Sequence, residues 1–296
     1  MNFKIILSFA VIYIVWGSTF TAIKLGLDTF PPIMLAGLRF FVAGVTFLFI
    51  ARGKGILAMT KKDISREALI GILLTSANAG VCWSEQYLSS GVAALIVGAI
   101  PVMFMLVNSL GFEKQIPHPS AILGVLIGIL GILFISVDNS SSGSNWFVVL
   151  IVILANCSWV IGSLMIRATV TTHAYFPRAA VQLISGSTFL FVTSSLMGER
   201  SVPLDTIGFS GFASVAYLSL VGTILAYTCY SFLLKKVRPE ITSTYALVNP
   251  LVAMIFGVLW LSEPFTLNIA LATALILFSV VLVLYGRQVF QKLQFG

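Results

Sequence analysis

The chain consists mainly of apolar runs of about 20 residues, separated by short polar connections. A run of this length and composition is what an α-helix needs to cross the hydrocarbon core of a bilayer. We mark ten such runs, which comprise residues 5–25, 32–51, 67–87, 89–110, 118–137, 146–167, 178–197, 208–232, 240–262 and 266–286. In lipid the backbone must satisfy its own hydrogen bonds, and a helix does so within one segment. The sequence therefore predicts an all-α membrane protein with ten transmembrane helices.

The composition supports this class and argues against a nucleic-acid partner. Hydrophobic residues make up 58% of the chain and charged residues 9%, whereas roughly a quarter of a soluble protein is charged. The net charge of +7 comes from basic residues in short loops between apolar runs. Most of these loops lie on one side of the predicted topology, which by the positive-inside rule places both termini in the cytoplasm. We therefore expect a multi-pass protein of the cytoplasmic (inner) membrane.

One stretch of sequence occurs twice, once in each half of the chain. Each copy is an apolar run with a proline near its middle and a glutamate at its end, over residues 92–113 and 241–263. Pro101 and Pro250 each lack a backbone donor and free the carbonyl four residues earlier. In lipid such groups are tolerated only beside protein or a water-filled cavity, so we predict helix kinks near the midplane, next to an interior space. Glu113 and Glu263 are expected to stabilise the turn and the helix N-terminus that follow.

Other positions repeat at the same relative spacing. Trp16 lies eight residues before Lys24, and Trp159 lies eight residues before Arg167. The polar run 140–145 divides the predicted helices into two sets of five, and an odd number makes the second set enter from the opposite side. The sequence thus predicts two inverted five-helix repeats around a central cavity, as in many secondary transporters. The repeats comprise residues 1–139 and 146–288.

These residues resemble the drug/metabolite transporter superfamily, in its EamA-type branch. The matching positions are Trp16-Gly17-Ser18-Thr19-Phe20 with Lys24, Leu38-Arg39-Phe40, Pro101 with Glu113, Trp159 with Arg167, and Asn249-Pro250 with Ser262-Glu263-Pro264. The resemblance covers essentially the whole chain. It implies ten helices in two inverted repeats around a cavity, and it implies export of amino acids or other small metabolites.

Polar and aromatic residues inside the apolar runs are the candidates for the cavity, because polar groups within a membrane usually face the bundle interior. At helical spacing we select Trp16, Arg39, Asn78, Glu85, Trp159, Gln182, Tyr227, Tyr245 and Asn249. Each has a structural alternative. The tryptophans could be ordinary packing residues, Arg39 could bond helix-end carbonyls as a snorkelling side chain, and Glu85 could face water at the outer surface.

Two predicted helices, 118–137 and 266–286, are nearly free of internal polar residues. The first carries Gly124, Gly128 and Gly131, a small-residue face that lets another helix approach closely. We expect both helices to be peripheral, where they brace the bundle or pair with a second copy in a homodimer.

The predicted interior favours transport of a small solute. It is aromatic, amide and hydroxyl in character, which suits an amphipathic molecule such as a zwitterionic amino acid. We therefore predict a secondary transporter that works by alternating access, in the direction of efflux. An intramembrane lipid-modifying enzyme, a non-transporting receptor or scaffold, and a channel are the alternatives.

The sequence patterns of an enzyme are missing. The chain has no phosphate-binding loop, no Gly-x-Ser-x-Gly and no His-Glu-x-x-His. Its three cysteines, Cys82, Cys157 and Cys229, lie inside apolar runs without metal-ligand spacing. We expect no enzymatic activity, no cofactor and no metal.

Overall fold

The computed structural model describes residues 3–51, 58–107, 119–138, 146–169, 173–237 and 239–294, and every regular element in these ranges is helical. The α-helices are α1 Phe3–Leu27, α2 Pro32–Ala51, α3 Lys61–Ser84, α4 Ser90–Val97, α5 Ile100–Val107, α6 Pro119–Asp138, α7 Trp146–Ala168, α8 Tyr175–Leu196, α9 Phe209–Ala216, α10 Ala226–Lys236, α11 Pro239–Thr242, α12 Tyr245–Leu261 and α13 Leu267–Gln294. A π-helical segment, Tyr217–Leu225, joins α9 to α10, and a 3-10 turn, Leu204–Thr206, precedes α9. The prediction of an all-helical protein is confirmed for these residues.

Several helices are long and apolar enough to cross a membrane. In the described ranges five meet this description: α1, α2, α7, α8 and the continuous helix Phe209–Lys236. Shorter apolar helices comprise Ser90–Phe104, Val248–Leu261 and Leu267–Ser279. These lengths fit a multi-pass membrane protein, while ten crossings and inverted repeats stay a prediction at this point.

Acidic side chains stabilise the starts of two helices. The carboxylate of Glu199 accepts from the backbone N–H groups of Ile33 and Met34 in the first turn of α2, at 3.0 and 2.9 Å. Glu263 accepts from the backbone and hydroxyl of Ser90 at the start of α4, at 2.8 and 2.7 Å. Both contacts satisfy orphan donors of a helix N-terminus.

Glu263 stabilises a helix N-terminus, as expected, but this helix is not the one that follows it in sequence. Its carboxylate serves α4, in the other half of the chain, instead of the helix that follows it. Ser262, which ends α12 in the left-handed conformation at φ 53°, turns the chain so that Glu263 can point there. The corresponding Glu113 and the 140–145 linker lie outside the described residues.

The two proline-centred stretches differ in backbone form. In the first, the helix is interrupted at residues 98–99, directly before Pro101, and separates α4 from α5. In the second, Pro250 lies inside the continuous helix α12, and the interruption falls earlier, at residues 243–244. The stretches meet each other, because a Cβ added to Gly98 would lie 3.2 Å from the carbonyl oxygen of Ala246 and 3.4 Å from Pro250.

The helices expected at the periphery pack against each other. The glycine face of α6 is turned toward α13, since a Cβ on Gly128 would touch Ser279 and one on Gly131 would touch Ile276. This face is therefore occupied within one chain, by close approach of two helices. Leu126 and Leu130, on the other side of α6, are exposed. A homodimer through this helix pair stays a prediction, and exposed residues such as these leucines would have to form its contact.

The close approach of α3 and α8 at Gly71 gives a prediction for stability. Gly71 of α3 lies directly against the backbone of α8, so that an added Cβ would overlap the carbonyl group of Gln182. Because this neighbour is backbone, it cannot turn aside, and we expect Gly71→Ala to destabilise the protein by about 1–3 kcal/mol. Thermal unfolding of the purified protein in detergent measures the effect. Gly208→Ala is the control, because Gly208 is exposed and has nothing within 4 Å of the added carbon. Equal melting temperatures for the two variants would contradict the helix packing.

Candidate functional site

A central cavity lies between helices from both halves of the chain. Side chains of α1, α2, α3, α7, α8, α10 and α12 line it, together with Val97, Ile100 and the π-helical segment. About 760 Å³ in this space is free of protein atoms, including the part that is open to the outside.

Seven of the nine residues selected from the sequence line this cavity: Trp16, Arg39, Asn78, Trp159, Tyr227, Tyr245 and Asn249. They come from six different helices and from both halves of the chain. Gln182 and Glu85 do not line it. The structure therefore brings together residues that are far apart in sequence, such as Trp16 and Tyr245.

Aromatic rings form one wall of the cavity. Trp16 is the centre of the group, with ring centroids 5.5 Å from Trp159, 4.9 Å from Tyr230 and 4.8 Å from Tyr245. These separations lie in the range of favourable tilted and edge-to-face pairs. Tyr230, which was not among the selected residues, is fully buried behind this wall and donates to the hydroxyl of Ser163 at 2.7 Å.

Arg39 is held at the cavity by three neutral acceptors. Its Nε donates to the hydroxyl of Thr223 at 2.7 Å, its Nη2 to the carbonyl of Gly222 at 3.0 Å, and its Nη1 to the amide oxygen of Asn78 at 3.3 Å. The Gly222 carbonyl also accepts from the indole N–H of Trp16 at 3.0 Å. Gly222 and Thr223 belong to the π-helical segment, a form whose widened turn is found often at functional sites.

Gln182 lies one step behind the cavity, in a buried chain of hydrogen bonds. Tyr227, which lines the cavity, donates its hydroxyl to the amide oxygen of Gln182 at 2.5 Å. The amide nitrogen of Gln182 donates to Glu67, also at 2.5 Å, and the other oxygen of Glu67 accepts from Arg178 at 2.7 Å. Sequence reasoning missed Glu67, because it stands at the first position of a predicted membrane helix, where a carboxylate usually faces water. In the structure its side chain is 0% exposed.

Glu85 is buried between the cavity and the end of α3. It is 0% exposed, and neither carboxyl oxygen has a hydrogen-bond partner. The alternative that Glu85 faces water is therefore wrong. The neighbouring cation, Lys24, donates to the backbone carbonyls of Glu85 and Leu88, at 2.5 and 3.0 Å, and not to the carboxyl group.

Arg167 makes the matching contact in the second half. Its Nη1 donates to the backbone carbonyls of Leu234 and Val237, at the end of α10, at 3.1 and 2.7 Å. Leu234 is as far along the chain from Glu85 as Pro250 is from Pro101, and the same distance separates Val237 from Leu88. The two cations, which correspond in sequence, thus bond carbonyl pairs that also correspond. Each pair lies where a helix leaves its last carbonyls without partners.

The neighbours of the two prolines are unequal. In the first copy the cavity is lined by the apolar Val97 and Ile100, and in the second by Tyr245 and Asn249. The carbonyls of Tyr13 and Tyr245 face the Asn249 amide, and this assigns the nitrogen to that side, where it donates to both at 3.1 Å. Pro101 and Pro250 themselves stand outside the lining.

A side chain of the second half satisfies the interrupted backbone of the first. The amide of Asn156 in α7 donates to the carbonyl of Ile96 at 2.9 Å, directly before the interruption between α4 and α5. The same carbonyl accepts from the backbone N–H of Ala99 at 3.1 Å. The carbonyl at the helix break thus has one donor from each half of the chain.

Within the described residues, no group of three or more His, Cys, Asp or Glu side chains comes together as a metal site would require.

The sequence and the fold have counterparts among known proteins. A solved crystal structure aligns with 98% of this chain and 99% of its own at a TM-score of 0.67, with 18% sequence identity, which shows a shared fold. An uncharacterized inner membrane transporter of Escherichia coli K12, YedA, is 32% identical over 281 residues, covering 94% of this chain and 90% of its own. A probable amino-acid metabolite efflux pump of the same strain is 27% identical, covering 93% of each chain. The model of the EamA-like transporter family matches residues 3–137 and again residues 146–285. Since these two matches span nearly the whole sequence, the chain belongs to the EamA-like transporter family.

Proposed function

We propose that this protein is a secondary transporter of the cytoplasmic membrane, which moves a small amphipathic solute by alternating access. The observation that carries the proposal is the central cavity, which both halves of the chain line with aromatic and polar side chains. A relative that is named an inner membrane transporter supports the location.

The proposed architecture is two inverted repeats of five membrane crossings, residues 1–139 and 146–288, with both termini in the cytoplasm. The matched contacts of Lys24 and Arg167 support it, because they stand at the ends of helices that the predicted topology places on opposite sides. The meeting of Gly98 with Pro250 supports it as well, since inverted-repeat transporters form their site where the repeats meet near the midplane. Rocking of one half against the other would then expose the cavity to each side in turn.

The lining favours a zwitterionic amino acid or a similar solute. Trp16, Trp159 and Tyr245 offer ring faces to an apolar or ammonium group. Arg39 and Asn78 offer polar contacts on the same cavity. A relative named an amino-acid metabolite efflux pump supports both the solute class and the direction of efflux.

Counterflow in liposomes tests the proposal. Purified protein is reconstituted into vesicles loaded with one unlabelled amino acid at a time, and uptake of the same labelled amino acid is followed without nucleotide. We expect uptake above that of protein-free vesicles for at least one amino acid, and its loss on Trp16→Ala. A well-folded wild-type protein that moves no member of a panel of amino acids and related metabolites would contradict the proposal.

The buried carboxyl of Glu85 gives a separate prediction about coupling. A charged carboxylate without a partner is costly in such a place, so Glu85 is the group best suited to carry a proton in and out. We expect Glu85→Gln, which keeps the shape, to retain counterflow but to lose its dependence on an imposed pH gradient. Glu199→Gln is the control, because Glu199 is already bonded by two backbone N–H groups and a serine. An unchanged gradient response in Glu85→Gln would remove this residue from coupling.

A further inference from the structure

Arg39 is a buried cation, and its hydrogen-bond partners among the described residues are all neutral. It lies seven residues after the start of α2, roughly 10 Å into the helix at 1.5 Å per residue, and is 4% exposed. Its three hydrogen-bond acceptors are a hydroxyl, an amide oxygen and a backbone carbonyl, all of them uncharged. A buried charge is costly unless it is paired with an opposite charge, so the position calls for an anion.

The acidic residues whose side chains the structure describes do not supply this anion. Asp63 and Glu67 form their ion pairs with other cations. Glu199 and Glu263 accept from helix N-termini, and Asp28 and Asp205 are exposed. The carboxyl group of Glu85 has no hydrogen-bond partner at all. An anion at Arg39 must therefore come from outside these residues.

The cavity also holds donors that are not in use. A guanidinium has five N–H groups, and Arg39 uses one on each of its three nitrogens. One N–H thus remains on each terminal nitrogen, a pair of donors suited to the two oxygens of a carboxylate. The indole nitrogen of Trp159, on the same cavity, is buried beside the hydroxyls of Tyr230 and Tyr245 and has no well-aligned hydrogen bond to either. The two remaining N–H groups of the guanidinium therefore favour a solute with a carboxylate.

We propose that Arg39 binds a carboxylate of the transported solute and is the residue that restricts this transporter to carboxylate-bearing molecules. This inference rests on the proposed function, since it assigns a ligand group to the same cavity. Arg39 and Trp16 share the Gly222 carbonyl as acceptor, so the carboxylate is bound next to the aromatic wall. A solute held in this way presents its carboxylate to Arg39 and the rest of its body to Trp16, Trp159 and Tyr245.

Binding to the purified wild-type protein tests the inference without any mutation. Thermal shift and tryptophan fluorescence are measured with pairs of compounds that differ only at the acid group. The pairs are L-leucine and L-leucinamide, L-phenylalanine and L-phenylalaninamide, and 4-methylpentanoate and 4-methylpentanamide. The last pair lacks the ammonium group and so isolates the carboxylate. We expect each acid that binds to do so about 10- to 100-fold more tightly than its amide, as for hydrogen bonds to a charged group.

Two variants locate the effect at Arg39. Arg39→Met should abolish the preference for acids, and Arg39→Lys, which keeps the charge but not the paired donors, should retain part of it. The matched control is Arg200→Met, because Arg200 is an exposed arginine that does not line the cavity. If Arg39→Met does not fold, the binding of acids and amides to the wild-type protein still tests whether the site requires a carboxylate.

The outcomes separate this inference from the proposed function. Amides that bind as tightly as their acids, or a failure of every acid to bind, would overturn the role of Arg39. Transport of amides and acids at equal rates would leave a transporter without this selectivity. Selective binding of acids without any counterflow would support the site at Arg39 and contradict the transport function.

Discussion

Glu67→Gln is expected to lower the free energy of unfolding by about 3–5 kcal/mol, because it removes the charge that neutralises Arg178 inside the protein. The pair is a hydrogen-bonded contact of 2.7 Å, and Glu67 is 0% exposed while Arg178 is 9% exposed at the side chain. Loss of the carboxylate leaves a buried cation without a counter-charge. It also changes the contact to Gln182, so that the hydroxyl of Tyr227 at the cavity loses its fixed partner.

A double-mutant cycle separates the pair from its surroundings. Arg178→Met should cost a similar amount, and the double variant Glu67→Gln with Arg178→Met should cost much less than the sum, since no unpaired charge is left. Unfolding in mixed micelles of increasing SDS content measures the differences. Asp205→Asn, at an exposed position, is the control and should change stability by less than about 0.5 kcal/mol. Additive effects of the two single variants would show that the contact is not an energetic unit.

Lys24→Met and Arg167→Met are expected to shift the accessibility of the cavity in opposite directions. Each cation joins the end of its own helix to two backbone carbonyls at the end of another helix, Lys24 at α3 and Arg167 at α10. A hydrogen bond with one charged partner contributes about 1.5–3 kcal/mol. Removing two of them from one end of the bundle should change the ratio of the two access states by about tenfold or more.

Labelling of one cavity position from each side of the membrane measures this shift. The native cysteines are removed and Val81, a lining position, is replaced by cysteine. Vesicles with a known protein orientation are then treated with a membrane-impermeant maleimide, which is added outside in one sample and enclosed inside in another. Lys24→Met and Arg167→Met should speed the labelling of this cysteine from opposite sides of the membrane. A Lys236→Met variant serves as the control, because Lys236 is an exposed cation at the same end as Arg167. Equal shifts toward one side would contradict the equivalence of the two contacts.

The sequence was sufficient for the helical class and for most cavity residues, because both depend on polarity along a helix. Trp16, Asn78 and Tyr227 could be identified, since a polar or aromatic side chain at helical spacing within an apolar run usually faces inward. Gln182 follows the same pattern yet lies one contact away from the cavity, behind Tyr227. Spacing gives the direction of a side chain, but which neighbour stands in front of it depends on how the helices pack.

Contacts between the two halves of the chain could not be predicted from the sequence, for a related reason. The bond of Glu263 to Ser90 joins residues 173 positions apart, and local pattern suggested the adjacent helix instead. Glu67 was passed over because a charge at the start of a membrane helix ordinarily remains in water, whereas α8 covers it here. Pro250 lies inside the continuous helix α12, and a kink at this residue stays a prediction.

The π-helical segment also marks a place where the chain can change its length by one residue. A widened turn takes up about one residue more than the α-helical turn that it replaces. Each residue of an α-helix corresponds to a rotation of about 100°. Deleting one residue between Tyr217 and Leu225 should therefore restore an ordinary helix and leave Tyr227 and Tyr230 at the aromatic wall. Relatives that lack one residue in this segment could keep both tyrosines, but they would lose the widened turn in which Gly222 and Thr223 accept from Arg39.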